Sequence, residues 1–172
     1  MNLTRRIWGT LLLGVTISIM RGQSTKTSQT VTRTWTAFSR TAMSITGDVI
    51  LTSDLIASLN TLTLLKTVVL PMRLIREIDK QHLSDIAEIL DAPPTLSSAR
   101  LYKAHVSRST KLVNGNTICG PRDAEWLLLG ETRDRLSLAV FSGDIEPALD
   151  SKSVAKSRDL CGTFSYDAAA TE

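Results

Sequence analysis

The chemistry that this sequence offers most clearly is that of two cysteines, Cys119 in NTICG and Cys161 in DLCGT, which are its only thiols. In an oxidising compartment two such thiols tend to form a disulfide, whereas in the cytosol they would more often remain buried and reduced. They lie 42 residues apart, and neither has a neighbouring histidine or cysteine. A structural zinc site needs about four such ligands at close spacing, so the pair predicts a disulfide and no metal site.

Few other residues have the types and spacing of a catalytic site. The histidines are His82 and His105, and a hydrolase that uses either of them is one alternative, because triads assemble in space rather than in sequence. The chain has no GxSxG elbow, no HExxH and no Gly-rich phosphate loop. Ser153 and Lys156 match S-x-x-K, but the SDN and KTG segments that accompany this motif are missing. We therefore expect no catalytic residue, no metal and no cofactor.

The N-terminal 24 residues have the pattern of a secretory signal. Arg5 and Arg6 precede an apolar run over residues 7–20, and small residues follow it. The run is shorter than the roughly 20 residues that cross a bilayer, so we predict a signal peptide over 1–24 that is cleaved. Membrane contact is expected only if this segment stays uncleaved, and the Sec and twin-arginine routes both stay open.

The basic character of the chain belongs to this same segment. The sequence pI is about 9.1 and the net charge is +3, yet the first 24 residues contain three arginines and no acid. Their removal brings the net charge to zero, which argues against nucleic acid as a partner. Export together with a disulfide predicts a periplasmic or secreted protein.

The elements that must position any site are mostly strands. After the signal we predict a flexible lead-in and first strand over 25–40, followed by a single β-rich domain over 41–172. Trp35 on the first strand is expected to pack in the core, and Asn114-Gly115 predicts a tight hairpin turn. Further strands are predicted over 45–54, 62–74, 99–106, 111–119, 125–130, 136–143 and 162–166. The fold class is mainly β, a small β-barrel or β-sandwich with one helical insertion.

The helical insertion is predicted where the hydrophobic period changes. Over residues 73–90 apolar side chains recur at steps of three and four, and the pattern ends before Pro93-Pro94. His82 falls on the apolar stripe of this helix, so we expect it to be packed rather than catalytic. The charged segment 142–159 is predicted to be a surface loop.

Several segments of the mature chain resemble a recurring pattern of small exported bacterial proteins that have no assigned function. The resemblance implies export and the cysteine pair, and it brings no activity or catalytic residue with it. Its segments are TAMSITGD (41–48), ARLYK (99–103), NGNTICG (114–120), LSLAVFSGD (136–144) and LCGTFSYD (160–167).

The charge of the mature chain is unevenly distributed. Residues 92–122 hold basic side chains and no acid, whereas residues 123–172 are acidic overall. One interpretation is a basic strand face that meets an anionic surface such as a lipid headgroup, a polysaccharide or an acidic protein. The other is that neighbouring strands pair these charges across a sheet. The candidate residues of the basic face are Arg100, Tyr102, Lys103 and Arg108.

These features predict an exported, disulfide-stapled, non-catalytic binding or envelope-associated protein. Its partner would be a protein or an envelope component, and the oligomeric state is left open. A β-barrel carrier of an apolar ligand is the alternative, although Arg33-Thr34-Trp35 has only the tryptophan of the G-x-W found in lipocalin-type barrels. The hydrolase with a histidine-containing site is the second alternative.

Overall fold

The computed structural model describes residues 30–54 and 59–169, and in these residues eight antiparallel strands form a closed barrel. Each strand pairs with the next along the chain, and β8 closes the barrel on β1. The mainly β prediction is confirmed, and of the two architectures left open the chain adopts the barrel. The predicted signal peptide lies outside the described residues. The strands are β1 (Thr30–Ala37), β2 (Val49–Asp54), β3 (Leu59–Leu64), β4 (Val68–Glu77), β5 (Ser98–Val106), β6 (Ala124–Glu131), β7 (Arg135–Ser142) and β8 (Leu160–Ala168).

The interior of the barrel is filled by large side chains from alternate strand positions. Because successive residues of a strand point to opposite faces, every second residue contributes to one apolar core. Trp35 is fully buried there, as the sequence predicted. The other large inward side chains exposed by 1% or less are Val49, Leu62, Leu64, Met72, Leu127, Leu136, Leu138, Val140, Phe164 and Tyr166.

A second apolar cluster lies on the outer face of β5, β6 and β7. It is covered by helix α1 (Leu83–Ile89) and helix α2 (Ser151–Lys156), which insert Ile86 and Val154 into it. The end of α1 comes so close to β6 that a Cβ atom added at Gly130 would overlap the side chain of Leu90 and lie 2.9 Å from Leu96 Cδ1. One side of the barrel wall is therefore covered by the chain's own helices.

The predicted helix over 73–90 is correct only in its second half. Strand β4 continues to Glu77, a 3-10 turn covers Lys80–His82, and α1 begins at Leu83. A β-bulge between Leu74 and Arg76 shifts the register against β5, and this irregularity mimics a helical period in the sequence. The prediction of a packed His82 is wrong, because the residue is exposed.

Further local predictions differ from the structure, among them the single strand over 62–74, which is divided between β3 and β4 by a turn at 65–67. Asn114 and Gly115 do adopt positive φ angles of 55° and 74°, but they form a 3-10 turn within a loop rather than a hairpin between strands. Segment 142–159 is more ordered than a plain loop because α2 lies inside it. The Asp150 carboxylate begins that helix by accepting a hydrogen bond from the Ser153 backbone at 2.8 Å.

One end of the barrel is plugged by a π-helical turn, Ala42–Thr46, and by the loop that contains Leu112 and Ile118. The disulfide between Cys119 and Cys161 is present, with 4.9 Å between the two Cα atoms, and it ties this loop to β8. We call this the closed end.

A buried hydrogen bond fixes the turn at the closed end to the last strand. The Thr46 hydroxyl and the Tyr166 hydroxyl lie 2.7 Å apart, and both residues are fully buried. Burial raises the pKa of the Tyr166 phenol well above its ordinary value, and the hydrogen bond with Thr46 opposes that rise. The phenol therefore stays protonated in the folded protein.

No helix among the described residues is long and apolar enough to span a membrane.

Candidate functional site

Opposite the closed end, four charged side chains from four different strands form a chain of alternating sign. Arg33 Nη1 lies 3.9 Å from Glu131 Oε2, and Glu131 Oε1 lies 3.4 Å from Arg100 Nη1. Arg100 Nε in turn lies 3.3 Å from Glu77 Oε1. We call these residues the charged end. Since each acid has a basic neighbour, the charged end has little net charge.

The charged end rests directly on the aromatic core. The Arg33 guanidinium lies 4.3 Å from the centre of the Trp35 ring, and Arg33 Nη2 also donates to the Arg133 carbonyl at 3.0 Å. A guanidinium stacked on an indole is held by cation–π attraction as well as by its ion pair. Trp35 Nε1 is buried and has no hydrogen-bond acceptor in the described part of the chain.

A groove borders the charged end on the outside of the barrel. It has a volume of about 470 Å³ and lies between the end of β4, α1 and the segment before α2. We call it the α1 groove. Its apolar floor is formed by Ile78, Ile86 and Leu149, and its other lining residues are Arg76, Glu77, Asp79, His82, Asp85 and Asp150.

The electrostatics of the α1 groove are acidic. Arg76 is neutralised by Glu146, with 3.1 Å between Nη2 and Oε1. Asp79 and Asp85 are exposed along the groove. Hydrogen bonds from Ser153 lower the pKa of the Asp150 carboxyl, so that residue stays ionised. An apolar floor beneath carboxylates suits a ligand that combines apolar and cationic groups.

The structure does not bring the four residues of the predicted basic face onto one surface. Arg100 belongs to the charged end, and Tyr102 points into the barrel and is only 2% exposed. Lys103 lies on the outer wall, and Arg108 lies in the loop after β5. Burial raises the pKa of the Tyr102 phenol, and the nearby Arg100 charge opposes this. The alternation of inward and outward side chains along β5 separates these residues.

Lys103 is part of a different cluster on the outer wall. Glu125 accepts from Lys103 Nζ at 3.1 Å and lies 2.6 Å from His105 Nδ1. Lys103 also lies over the Trp126 ring, 4.3 Å from its centre. Burial works to raise the pKa of the Glu125 carboxyl, but the hydrogen bonds from His105 and Lys103 prevail and lower it. Cross-strand pairing therefore accounts for much of the uneven charge in the sequence.

A bulge makes this cluster possible. Ala124 faces the core and Trp126 faces outward, and the register shift between them leaves Glu125 on the outer side as well. Strict alternation would not predict this position, so the cluster has no signal in the sequence. The sequence does not predict the charged end either, because Glu77 and Glu131 come together only in the folded barrel.

The remaining candidate residues do not assemble into a recognisable catalytic centre. His82 lines the α1 groove, whereas His105 is bound to Glu125 on the outer wall. Ser153 and Lys156 are both exposed on α2. In residues 30–54 and 59–169, no group of three or more His, Cys, Asp and Glu side chains has the geometry of a metal site.

No match to this chain was found among protein-family models, curated proteins or solved structures.

Proposed function

We propose that this is an exported, non-catalytic binding protein that engages a cationic, partly apolar partner in the α1 groove. The observation that carries the proposal is the barrel itself. Its interior is filled by its own aromatic and aliphatic side chains, among them Trp35, Phe164 and Tyr166, and one end is plugged. A filled barrel directs binding to the outer surface, where the α1 groove is a concave site with an apolar floor.

Export is supported by the disulfide and by the sequence that precedes the barrel. A bond between Cys119 and Cys161 forms and persists in oxidising compartments, and residues 1–24 have the pattern of a signal peptide. The intact mass of protein from its native host, before and after reduction and alkylation, tests this part. We expect a chain that begins near Thr25 and has thiols that become reactive only after reduction. A full-length chain with free thiols would overturn export.

The charge of the groove indicates the chemistry of the partner. Asp79 and Asp85 are exposed carboxylates, and a bound cationic segment would be attracted to both. Its apolar side chains would cover the half-buried Ile78 and Leu149. We infer a protein or peptide partner in the cell envelope, because a polypeptide segment can present both kinds of group at once.

Capture of the partner in the native host tests the groove directly. The protein is isolated after in-cell cross-linking, as wild type and as the double variant Asp79→Lys/Asp85→Lys. The matched control is Asp134→Lys, which reverses an exposed acid in the β6–β7 hairpin, away from the groove. We expect the groove variant alone to lose the cross-linked partner. Equal capture by all three proteins would refute the groove as the binding site.

A second candidate function is carriage of a small apolar molecule, and one observation favours it. The indole N–H of Trp35 is fully buried inside the barrel and has no acceptor among the described residues. A buried donor without a partner is unfavourable, and a small ligand with an acceptor would satisfy it. Native mass spectrometry of protein from the host separates the two functions. A stoichiometric small molecule supports carriage, and protein that carries no small molecule supports binding at the surface.

A further inference from the structure

Three turns meet at the closed end of the barrel. They cover residues 38–48, 65–67 and 111–117. A Cβ atom added at Gly47 would lie 3.1 Å from Leu65 Cδ2 and 3.4 Å from Val113 Cγ2. Asn116 Nδ2 donates a hydrogen bond to the Ser44 carbonyl at 2.8 Å. The three turns therefore form one continuous surface.

This surface combines apolar and basic side chains. Met43 is 53% exposed, and Leu65 and Val113 are half-buried beside Gly47. Exposed basic residues flank these apolar side chains on each of the three turns. We use the name basic tip for Arg40, Met43, Leu65, Lys66, Lys111 and Val113.

The cations of the basic tip are not neutralised by ion pairs. No carboxylate of residues 30–54 and 59–169 pairs with Arg40, Lys66 or Lys111, whereas both arginines of the charged end are paired. Asp48 is the only acidic residue in the three turns, and it accepts a hydrogen bond from the Ala37 backbone N–H at 2.9 Å. The basic tip is therefore a region of positive potential.

The turn between β3 and β4 displays two members of the basic tip at a cost in backbone strain. Leu65 and Lys66 have φ angles of 52° and 61°, and the turn is closed by a hydrogen bond from Thr67 N–H to the Leu64 carbonyl at 3.1 Å. Glycine and asparagine are the usual residues at such angles. Other residues in this conformation are uncommon, and they cluster at functional sites.

We propose that the basic tip docks on an anionic lipid surface. The phosphates of such a surface attract the three cations, and the boundary of the acyl chains accepts Met43. A polysaccharide would attract the cations but would offer Met43 no apolar phase. This docking uses the folded barrel, so it needs no uncleaved N-terminal segment, in contrast to the membrane contact expected from the sequence.

Docking at the closed end leaves the α1 groove to its partner. The groove residues Arg76 and Glu77 lie at the end of β4, whereas Lys66 lies just before its start. The 10 residues of β4 place its two ends about 30 Å apart. The screening length at physiological ionic strength is about 8 Å, so the acids of the groove do not cancel the attraction of the basic tip to lipid.

Co-sedimentation with sucrose-loaded vesicles tests the proposal, with protein isolated from its native host. Vesicles of phosphatidylglycerol and phosphatidylethanolamine are compared with vesicles of phosphatidylcholine. We expect stronger binding to the anionic vesicles, and we expect added salt to weaken it because salt screens the attraction. Equal binding to both kinds of vesicle, or binding to neither, would overturn the proposal. Retention on heparin without binding to anionic vesicles would also overturn it and would assign the basic tip to a polysaccharide.

Charge variants locate the binding surface. Lys66→Asn/Lys111→Gln removes two cations of the basic tip, and asparagine suits the positive φ angle at position 66. A basic residue near an anionic surface contributes about fivefold to the partition coefficient, so this variant should bind about thirtyfold more weakly. The matched control Lys80→Gln/Arg133→Gln removes the same charge from exposed positions near the charged end and should bind within about twofold of the wild type. A folded tip variant that binds as tightly as this control would overturn the proposal.

A tryptophan at position 43 tests contact with the acyl chains. The side chain of Met43 is already 53% exposed, so Met43→Trp needs no repacking of the core, and Trp35 and Trp126 are buried. Brominated anionic lipid should quench the fluorescence of this variant much more than that of the wild type. Equal quenching would place the basic tip outside the acyl region and would overturn the proposal. Near-UV circular dichroism checks that each variant is folded. None of these results bears on capture at the α1 groove, so the two proposals fail independently.

Discussion

Removal of the disulfide should weaken the barrel without abolishing it. We consider the double variant Cys119→Ala/Cys161→Ala, in which the loop at the closed end is no longer tied to β8. The bond closes a loop of 42 residues, and on the chain-entropy model it contributes about 4 kcal/mol by restricting the unfolded chain. The folded state keeps its other contacts at this end, since Leu112 and Ile118 are each 5% exposed and pack on the core.

Urea unfolding followed by tryptophan fluorescence is a suitable assay, because Trp35 lies in the core and reports on the barrel. For a protein of this size the free energy of unfolding falls by about 2 kcal/mol per M urea, so the midpoint should drop by roughly 2 M. Wild-type protein in excess reductant is the matched control. It lacks the bond but keeps the Cys119 side chain, which is buried in the core cluster.

The two measurements together separate cross-linking from packing. If the reduced wild type and the double variant lose stability equally, the whole effect comes from the bond. A loss below about 1 kcal/mol in both would refute the reasoning, because it would mean that residual contacts already restrict the unfolded chain between residues 119 and 161 about as much as the bond does.

Further predictions concern buried and paired groups. Tyr166→Phe should lower the free energy of unfolding by about 1 kcal/mol at pH 7. Because the folded pKa of Tyr166 is raised, wild-type stability should also fall as pH rises above about 10. Between pH 8 and pH 11 the urea midpoint of the variant should therefore fall less than the urea midpoint of the wild type. Gly130→Ala should cost about 1–3 kcal/mol in the same assay, whereas Gly162→Ala, whose added methyl group finds ordinary contacts, should cost much less. The folded pKa of Glu125 is lowered, so its contribution to stability is present above pH 4.5 and is lost as pH falls. Glu125→Gln should remove that part of the loss of stability at acid pH. If the variant lost as much stability below pH 4.5 as the wild type, the contact between Glu125 and His105 would not contribute to folding.

Local patterns were sufficient for much of the fold. The strands were predicted because apolar and polar residues alternate along them, and the meander was predicted because short turn segments connect them. Trp35 was correctly placed in the core because aromatic side chains on strands usually serve packing. The prediction of a helix over 73–90 was half wrong because a bulge near Leu74 imitates a helical period. A bulge is defined by the pairing with the neighbouring strand, which the local sequence does not contain.

The charged end and the α1 groove depend on contacts between residues far apart in sequence, which local patterns do not predict. Arg33 and Glu131 are nearly a hundred residues apart in sequence, and they meet because β1 and β6 both reach the same end of a closed barrel. Lys103 and Arg100 are close in sequence but point to opposite sides of the wall, so the predicted basic face was divided by the barrel. The α1 groove likewise needs β4, α1 and the segment before α2 to be packed side by side.

What the sequence by itself determined was therefore composition and local periodicity: two cysteines fit to pair, an N-terminal segment that holds the excess charge, and strands with an inward and an outward side. Barrel closure decided the rest. It decided which outward residues the helices cover, and it set charges from distant strands beside one another. Closure has this effect because shear and bulges fix which residues of non-adjacent strands share a level of the barrel, and that register is a property of the whole sheet.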